Sequence, residues 1–153
     1  MEKVFHFDAS EDRYIADAAV LCCFDERIRQ TVGKFLKRRG ILRPDMIAVA
    51  GGAKTLATPS NEGERDFILE QLQLSIRLHN PGRIILLTHS DCGAYGGLAA
   101  FAGDRALELA HHGKELQRAR DLVRARFPEI PVQSFFVNFE GVFAAAESIG
   151  QAA

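Results

Sequence analysis

The sequence has no apolar run long enough to span a bilayer, which takes about 20 residues, and we expect no membrane segment. It has no basic excess either. Its 19 Lys and Arg face 20 Asp and Glu, for a net charge of −1, so the charge pattern of a nucleic-acid-binding protein is absent. The N-terminus is acidic and lacks an apolar signal core, which favours a cytoplasmic location.

Cysteine is also scarce, and the three that are present, two of them adjacent, make a poor disulfide framework. In a reducing cytosol, cysteines in such a pattern are more often metal ligands, catalytic residues or buried apolar residues. The thiols must therefore be examined together with the other chemistry-bearing residues of the chain.

The distribution of apolar residues predicts strands that alternate with helices in a single domain, residues 1–153. Strands are predicted at 17–23, 45–52, 83–93 and 132–139, and helices at 25–40, 61–82, from Asp104 to before Pro128, and at 141–150. This alternation favours an α/β fold with a mainly parallel sheet of about four strands, order 2-1-3-4, and helices on both faces.

Two of the predicted strands end in unusual segments, CCFDER at 22–27 and THSDCG at 88–93. With the order 2-1-3-4, the winding direction reverses between strands 1 and 3, and ligands bind beyond the carboxyl ends of the strands at such a point. The topology therefore predicts that the two segments meet.

The residues of these segments suit a zinc site. His89 and Cys92 are three residues apart in a strand-to-helix turn, and a thiolate from strand 1 completes a Cys₂His set of the kind that leaves a fourth position for water. Cys22 or Cys23 supplies this thiolate. Only one of the two can face the site, because adjacent strand residues point to opposite faces. We select Cys23, which lies nearer the carboxyl end of the strand, and interpret Cys22 as a buried apolar residue.

The motifs Cys23-x-Asp25-x-Arg27 and His89-x-x-Cys92-Gly93 together resemble the two signature motifs of β-class carbonic anhydrases. The resemblance covers roughly residues 17 to 100 at the level of motifs. It implies a Zn²⁺ enzyme that hydrates CO₂ to bicarbonate through a zinc-bound hydroxide, with Cys23, His89 and Cys92 as its ligands. It also implies an active site at a subunit interface, and hence a homodimer or larger even oligomer.

By the same resemblance, Asp25 and Arg27 form a catalytic pair. The carboxylate accepts a hydrogen bond from the zinc-bound water, and the guanidinium holds the carboxylate and keeps it ionised. In some members of the family the aspartate instead binds zinc directly. Gly51 and Gly52 of the segment VAGG, with Gly93, are expected to line the substrate pocket.

The sequence departs from the family pattern at Glu26, where a serine is common, and in the residues that directly precede Gly51 and Gly52. Two alternatives therefore stay open: a hydrolase of carbonyl sulfide or carbon disulfide, and a non-catalytic zinc-binding scaffold. Elsewhere, His111 and His112 are expected to be solvated, and the stretch 114–127 is interpreted as a charged helix face that indicates no nucleic-acid site.

Overall fold

The strands form one mainly parallel sheet in a computed structural model that describes residues 1–145. The parallel strands are β1 (Ala18–Cys22), β2 (Pro44–Ala48), β3 (Ile84–His89) and β4 (Val132–Val137), and β5 (Val142–Ala144) runs antiparallel to β4. The sheet order is β2-β1-β3-β4-β5. The predicted α/β fold and the order 2-1-3-4 are confirmed, and β5 is a fifth strand at the edge.

Within residues 1–145, four α-helices connect or flank the strands: α1 (Glu26–Arg38), α2 (Lys54–Ala57), α3 (Glu62–His79) and α4 (Arg105–Arg126). The short α2 is absent from the sequence-based prediction. The three long helices each begin after an N-cap side chain that accepts backbone N–H bonds, namely Asp25, Asn61 and Asp104. None of the described helices is long and apolar enough to cross a membrane.

The core has two parts because alternate side chains of β1 point to opposite faces of the sheet. Ala19 and Leu21 pack in the cluster that contains the apolar residues of α3 and α4. Val20 and Cys22 pack in the cluster that contains those of α1. Helices therefore cover both faces, as predicted, and Cys22 is a buried apolar residue on the α1 side.

The helix predicted at 141–150 is wrong where the structure describes it. Residues Val142–Ala144 form β5, and residues 146–150 lie outside the described part of the chain. The Asn138 side chain accepts hydrogen bonds from the N–H groups of Glu140 and Gly141, a local turn that reverses the chain. The reversal lets residues 142–144 pair with β4, so sheet pairing prevails over the helix propensity of the alanines.

The expected solvation of His112 is wrong, and the charged face of α4 is buried in part, although Lys114, Arg118 and Asp121 are exposed. His112, Glu115 and Arg120 are at most 1% exposed, whereas Leu109 is 50% exposed. Burial lowers the pKa of His112 to about 3, so its imidazole is neutral at physiological pH. The buried face of α4 thus carries only polar residues in its first half, and apolar residues from Leu116 onward together with Arg120 in its second.

Candidate metal centre

Cys23, His89 and Cys92 lie together where the neighbouring strands β1 and β3 end. Cys23 directly follows β1, His89 is the last residue of β3, and Cys92 follows three residues later. All three are buried, and their ligand atoms lie within 4.8 Å of one another. Zinc bonds of about 2.0–2.3 Å place the ligands of one ion at comparable separations. The structure thus brings together the three residues that the sequence selects.

The His89 imidazole has the tautomer and the free lone pair that a metal ligand needs. Its Nδ1 lies 2.9 Å from the carbonyl oxygen of Ser90, to which it donates a hydrogen bond. Its Nε2 is buried and has no hydrogen-bond partner among residues 1–145. An unpaired buried nitrogen costs free energy, and a metal ligated at Nε2 would remove this cost, in the usual arrangement of ligating histidines.

The two thiols are electrostatically unequal. A hydrogen bond with the Cys92 thiol holds the pKa of Cys23 well below its usual value, and the same interaction, together with burial, raises the pKa of Cys92. The Cys23 thiol therefore ionises more readily than the Cys92 thiol, which retains its proton. A divalent cation would displace that proton and bind both as thiolates, so this donor set fits Zn²⁺.

The glycines of the loop after β2 form part of the same cluster. Gly51 directs its N–H at the Cys23 sulfur, 3.4 Å away. Gly52 has φ +56°, and a Cβ there would lie 2.5 Å from the Leu87 carbonyl oxygen, so only glycine allows this close approach to the strand ends. Gly93 is exposed and has space for a Cβ. Pocket lining by these three residues stays a prediction.

Asp25 and Arg27 form a closely bonded ion pair beside this cluster. Arg27 Nη2 donates to Asp25 Oδ2 at 2.7 Å, and Nε donates to both carboxylate oxygens. Asp25 is also the N-cap of α1 and accepts the backbone N–H of Arg27. The guanidinium and this cap lower the pKa of Asp25 to about 2. Its Oδ2 lies 3.8 Å from His89 Nε2, so an ionised carboxylate lies next to the proposed ligands.

Arg27 also joins the two motifs, which the sequence did not reveal. Its Nη1 donates to Asp91 Oδ2 and its Nη2 to the Asp91 carbonyl, both at 2.9 Å. Asp91 lies in the turn between His89 and Cys92 and has φ +54°. Glu26, the acid that departs from the family pattern, forms an ion pair with Arg29 on the surface.

An apolar cleft of about 740 Å³ opens beside the cluster. Its lining comes mainly from α1 and β2, including Ile28, Val32, Leu36 and Met46, and reaches Cys23 and Asp25. A small apolar molecule could therefore approach the Cys23 thiol and the Asp25 carboxylate from this side.

Comparison with known proteins is consistent with this geometry. A family described as "Putative carbonic anhydrase" matches residues 15–147. A curated relative, an uncharacterized protein of Rickettsia conorii, is 27% identical over 130 residues, which cover 83% of this chain and 70% of that protein.

Solved structures share the fold at low sequence identity. The carbonic anhydrase of Streptococcus mutans has a TM-score of 0.60 at 16% identity, covering 88% of this chain and 84% of that one. β-Carbonic anhydrase isoform I of Trichomonas vaginalis has a TM-score of 0.56 at 16% identity, covering 92% and 90%. A carbon disulfide hydrolase in its apo form has a TM-score of 0.55 at 16% identity, covering 90% and 83%.

Proposed function

Because this chain belongs to the β-carbonic anhydrase family as a divergent member, we propose that it binds one Zn²⁺ and catalyses the reversible hydration of CO₂ to bicarbonate. The observation that carries the proposal is the group of three buried donors, Cys23, His89 and Cys92, within 4.8 Å of one another. An ionised carboxylate held by an arginine lies beside them.

The three residues would hold the ion in distinct ways. Cys23 and Cys92 supply the negative charge that offsets its two positive charges, and His89 supplies the Nε2 lone pair, with its ring held by the hydrogen bond to the Ser90 carbonyl. When bound by three protein ligands, zinc acts as a Lewis acid that lowers the pKa of water to about 7.

Asp25 serves as a fixed hydrogen-bond acceptor in the proposed reaction. With a pKa of about 2, its carboxylate is ionised throughout the neutral range and has no proton to donate. It accepts the O–H of the attacking water and thereby directs an oxygen lone pair at the carbon of CO₂. Arg27 holds both carboxylate oxygens through its N–H groups, so Asp25 keeps one orientation during turnover.

The similarity in fold to a carbon disulfide hydrolase supports a second candidate. CS₂ and carbonyl sulfide are small linear electrophiles like CO₂. The same attacking water, with Asp25 as its hydrogen-bond acceptor, would hydrolyse them. The apolar lining of the cleft beside Cys23 suits any of the three molecules. Activity measurements on all three substrates distinguish the candidates.

The proposed function is tested by metal analysis and stopped-flow CO₂ hydration on the purified protein from pH 6.5 to 9. We expect about one zinc per chain and hydration above the uncatalysed rate. A chelator should abolish the activity, and added Zn²⁺ should restore it. A zinc-loaded protein that acts only on CS₂ or carbonyl sulfide would support the second candidate. Inactivity on all three substrates would leave a non-catalytic zinc-binding scaffold.

We also propose that the chain forms a homodimer or a larger even oligomer. Phe139 and Phe143 of the β4–β5 hairpin are 53% and 47% exposed, and β5 lies at an edge of the sheet. Exposed aromatic residues at a strand edge are typical of an interaction surface. The guanidinium of Arg27 lies 5.5 Å from the Phe139 ring centre, so a partner at this hairpin would also be near the Asp25–Arg27 pair.

Sedimentation velocity over a dilution series tests the oligomeric state. We expect a species of at least twice the 16.9 kDa chain mass at micromolar concentration. A single species of chain mass over the whole series would contradict the proposal.

A further inference from the structure

Helix α4 has a buried polar face directly behind the turn that carries Cys92. Glu108, His112 and Glu115 are one or two helical turns apart, and each is at most 1% exposed. Buried carboxylates are uncommon unless they are hydrogen-bonded or paired with a charge. The partners of Glu108 and Glu115 therefore indicate what each carboxylate contributes.

Glu108 binds two consecutive residues of the turn between His89 and Cys92. Its Oε2 accepts the Ser90 hydroxyl at 2.6 Å, and its Oε1 accepts the Asp91 N–H at 2.6 Å. Arg105 donates to the Ser90 hydroxyl oxygen and lies 3.9 Å from Glu108 Oε2. One carboxylate thus holds the backbone and the side chain of the turn.

Ser90 and Asp91 contact both parts of the candidate site, the proposed ligand His89 and the Asp25–Arg27 pair. The Ser90 carbonyl accepts the Nδ1–H of His89, and Asp91 accepts two hydrogen bonds from Arg27 through its carbonyl and its carboxylate. Asp91 has φ +54°, a conformation that costs free energy for a residue with a Cβ. The bond from its N–H to Glu108 stabilises this conformation, and loss of the bond would weaken the restraint on the turn, which the Leu98 N–H also holds through the Asp91 carboxylate.

We propose that Glu108 is a positioning residue that orients the His89 imidazole and the Asp25–Arg27 pair at once by holding the Ser90–Asp91 turn. The inference rests on the proposed function in that His89 is taken as a metal ligand. The Glu108 carboxylate acts through its hydrogen bonds to Ser90 and Asp91, neither of which is a proposed ligand.

Glu108→Gln tests the proposal, with Glu115→Gln as the matched control. The substitution keeps the side-chain volume, but it removes the charge and one of the two acceptor oxygens. Glu115 is equally buried on the same helix, and its carboxylate instead accepts from Thr58, Tyr95 and Arg118. Both variants remove one buried charge, and only the first disturbs the Ser90–Asp91 turn.

The readouts are Zn²⁺ affinity, by competition with a chelator, and the visible absorption spectrum of the Co²⁺-substituted protein. We expect Glu108→Gln to weaken Zn²⁺ binding by about 10–100-fold, as is typical when the partners of metal ligands are removed, and to change the Co²⁺ bands. Glu115→Gln should keep the wild-type affinity and spectrum. Urea unfolding of both variants measures any general loss of stability.

The proposal is overturned if Glu108→Gln has wild-type affinity and spectrum, or if both variants lose affinity equally. Ser90→Ala removes one of the two bonds to Glu108 and keeps the Ser90 carbonyl, so it should weaken Zn²⁺ binding in the same direction. It provides the test if Glu108→Gln does not fold. A wild-type protein that binds Zn²⁺ without turning over any substrate would contradict the proposed enzyme alone, since neither readout depends on turnover.

Discussion

The Cys92→Ala protein is expected to be purified without zinc and without CO₂-hydration activity. Cys92 is 2% exposed and lies within 4.8 Å of the Cys23 sulfur and the His89 ring nitrogen. Its removal leaves one thiolate and one imidazole, too few protein ligands for a catalytic zinc site. We expect the zinc content to fall from about one ion per chain to near zero, measured by elemental analysis of protein purified in parallel with the wild type.

Cys22→Ala is the matched control for this prediction. Cys22 packs in the apolar cluster on the α1 side of the sheet, and burial raises the pKa of its thiol to about 11. Its truncation should cost about 1 kcal/mol of stability and leave zinc and activity in place. Full zinc content in Cys92→Ala would contradict the ligand assignment. Loss of zinc from Cys22→Ala but not from Cys23→Ala would show that the wrong cysteine of the adjacent pair was selected.

Replacing Asp25 should separate catalysis from metal binding. Asp25 caps α1 and pairs with Arg27, so Asp25→Ala also costs about 1 kcal/mol of helix stability. Asp25→Asn keeps a cap of similar strength but removes the charge. Both variants should retain zinc and lose turnover by about 10–10³-fold, the range for a misplaced or missing catalytic hydrogen bond. The alanine variant should unfold at a lower urea concentration than the asparagine variant, because it loses the helix cap as well as the charge.

The pH dependence provides a second check on Asp25. Its pKa in the folded protein is lowered to about 2, so the carboxylate is charged above that pH and its own titration adds no inflection to the rate between pH 5 and 9. The stability that its charge contributes is present above the unfolded pKa of about 3.9 and is lost as the pH falls toward 2. If Asp25 ligates the metal instead, wild-type activity should rise only above pH 8, and Asp25→Ala should raise the activity near neutral pH. That result would contradict the acceptor role.

The strand order and the meeting of the two motifs could be predicted because they depend on local signals. Short apolar runs predict buried parallel strands, and the preferred topology places the carboxyl ends of β1 and β3 side by side. Cys23 and His89 occupy those ends, so their proximity follows from their positions along the strands. The C-terminal hairpin was missed because pairing of residues 142–144 with β4 is a non-local interaction that the local alanine-rich pattern does not reveal.

The sequence by itself determined the fold class, the strand order and the residue types at the point where the winding direction of the sheet reverses. It could do so because hydrophobic periodicity and the strand ends are properties of short segments. Only the tertiary structure decided which charged groups are buried and what they hold. Glu108 and His112 are charged or polar residues in a helix rich in charge, a pattern that predicts solvent exposure. Glu108 is buried against the turn after β3, and His112 is buried against the rings of Tyr95 and Phe136. Likewise, Arg27 binds Asp91, a residue 64 positions away. Packing of the two segments, and not spacing along the sequence, determines this pairing.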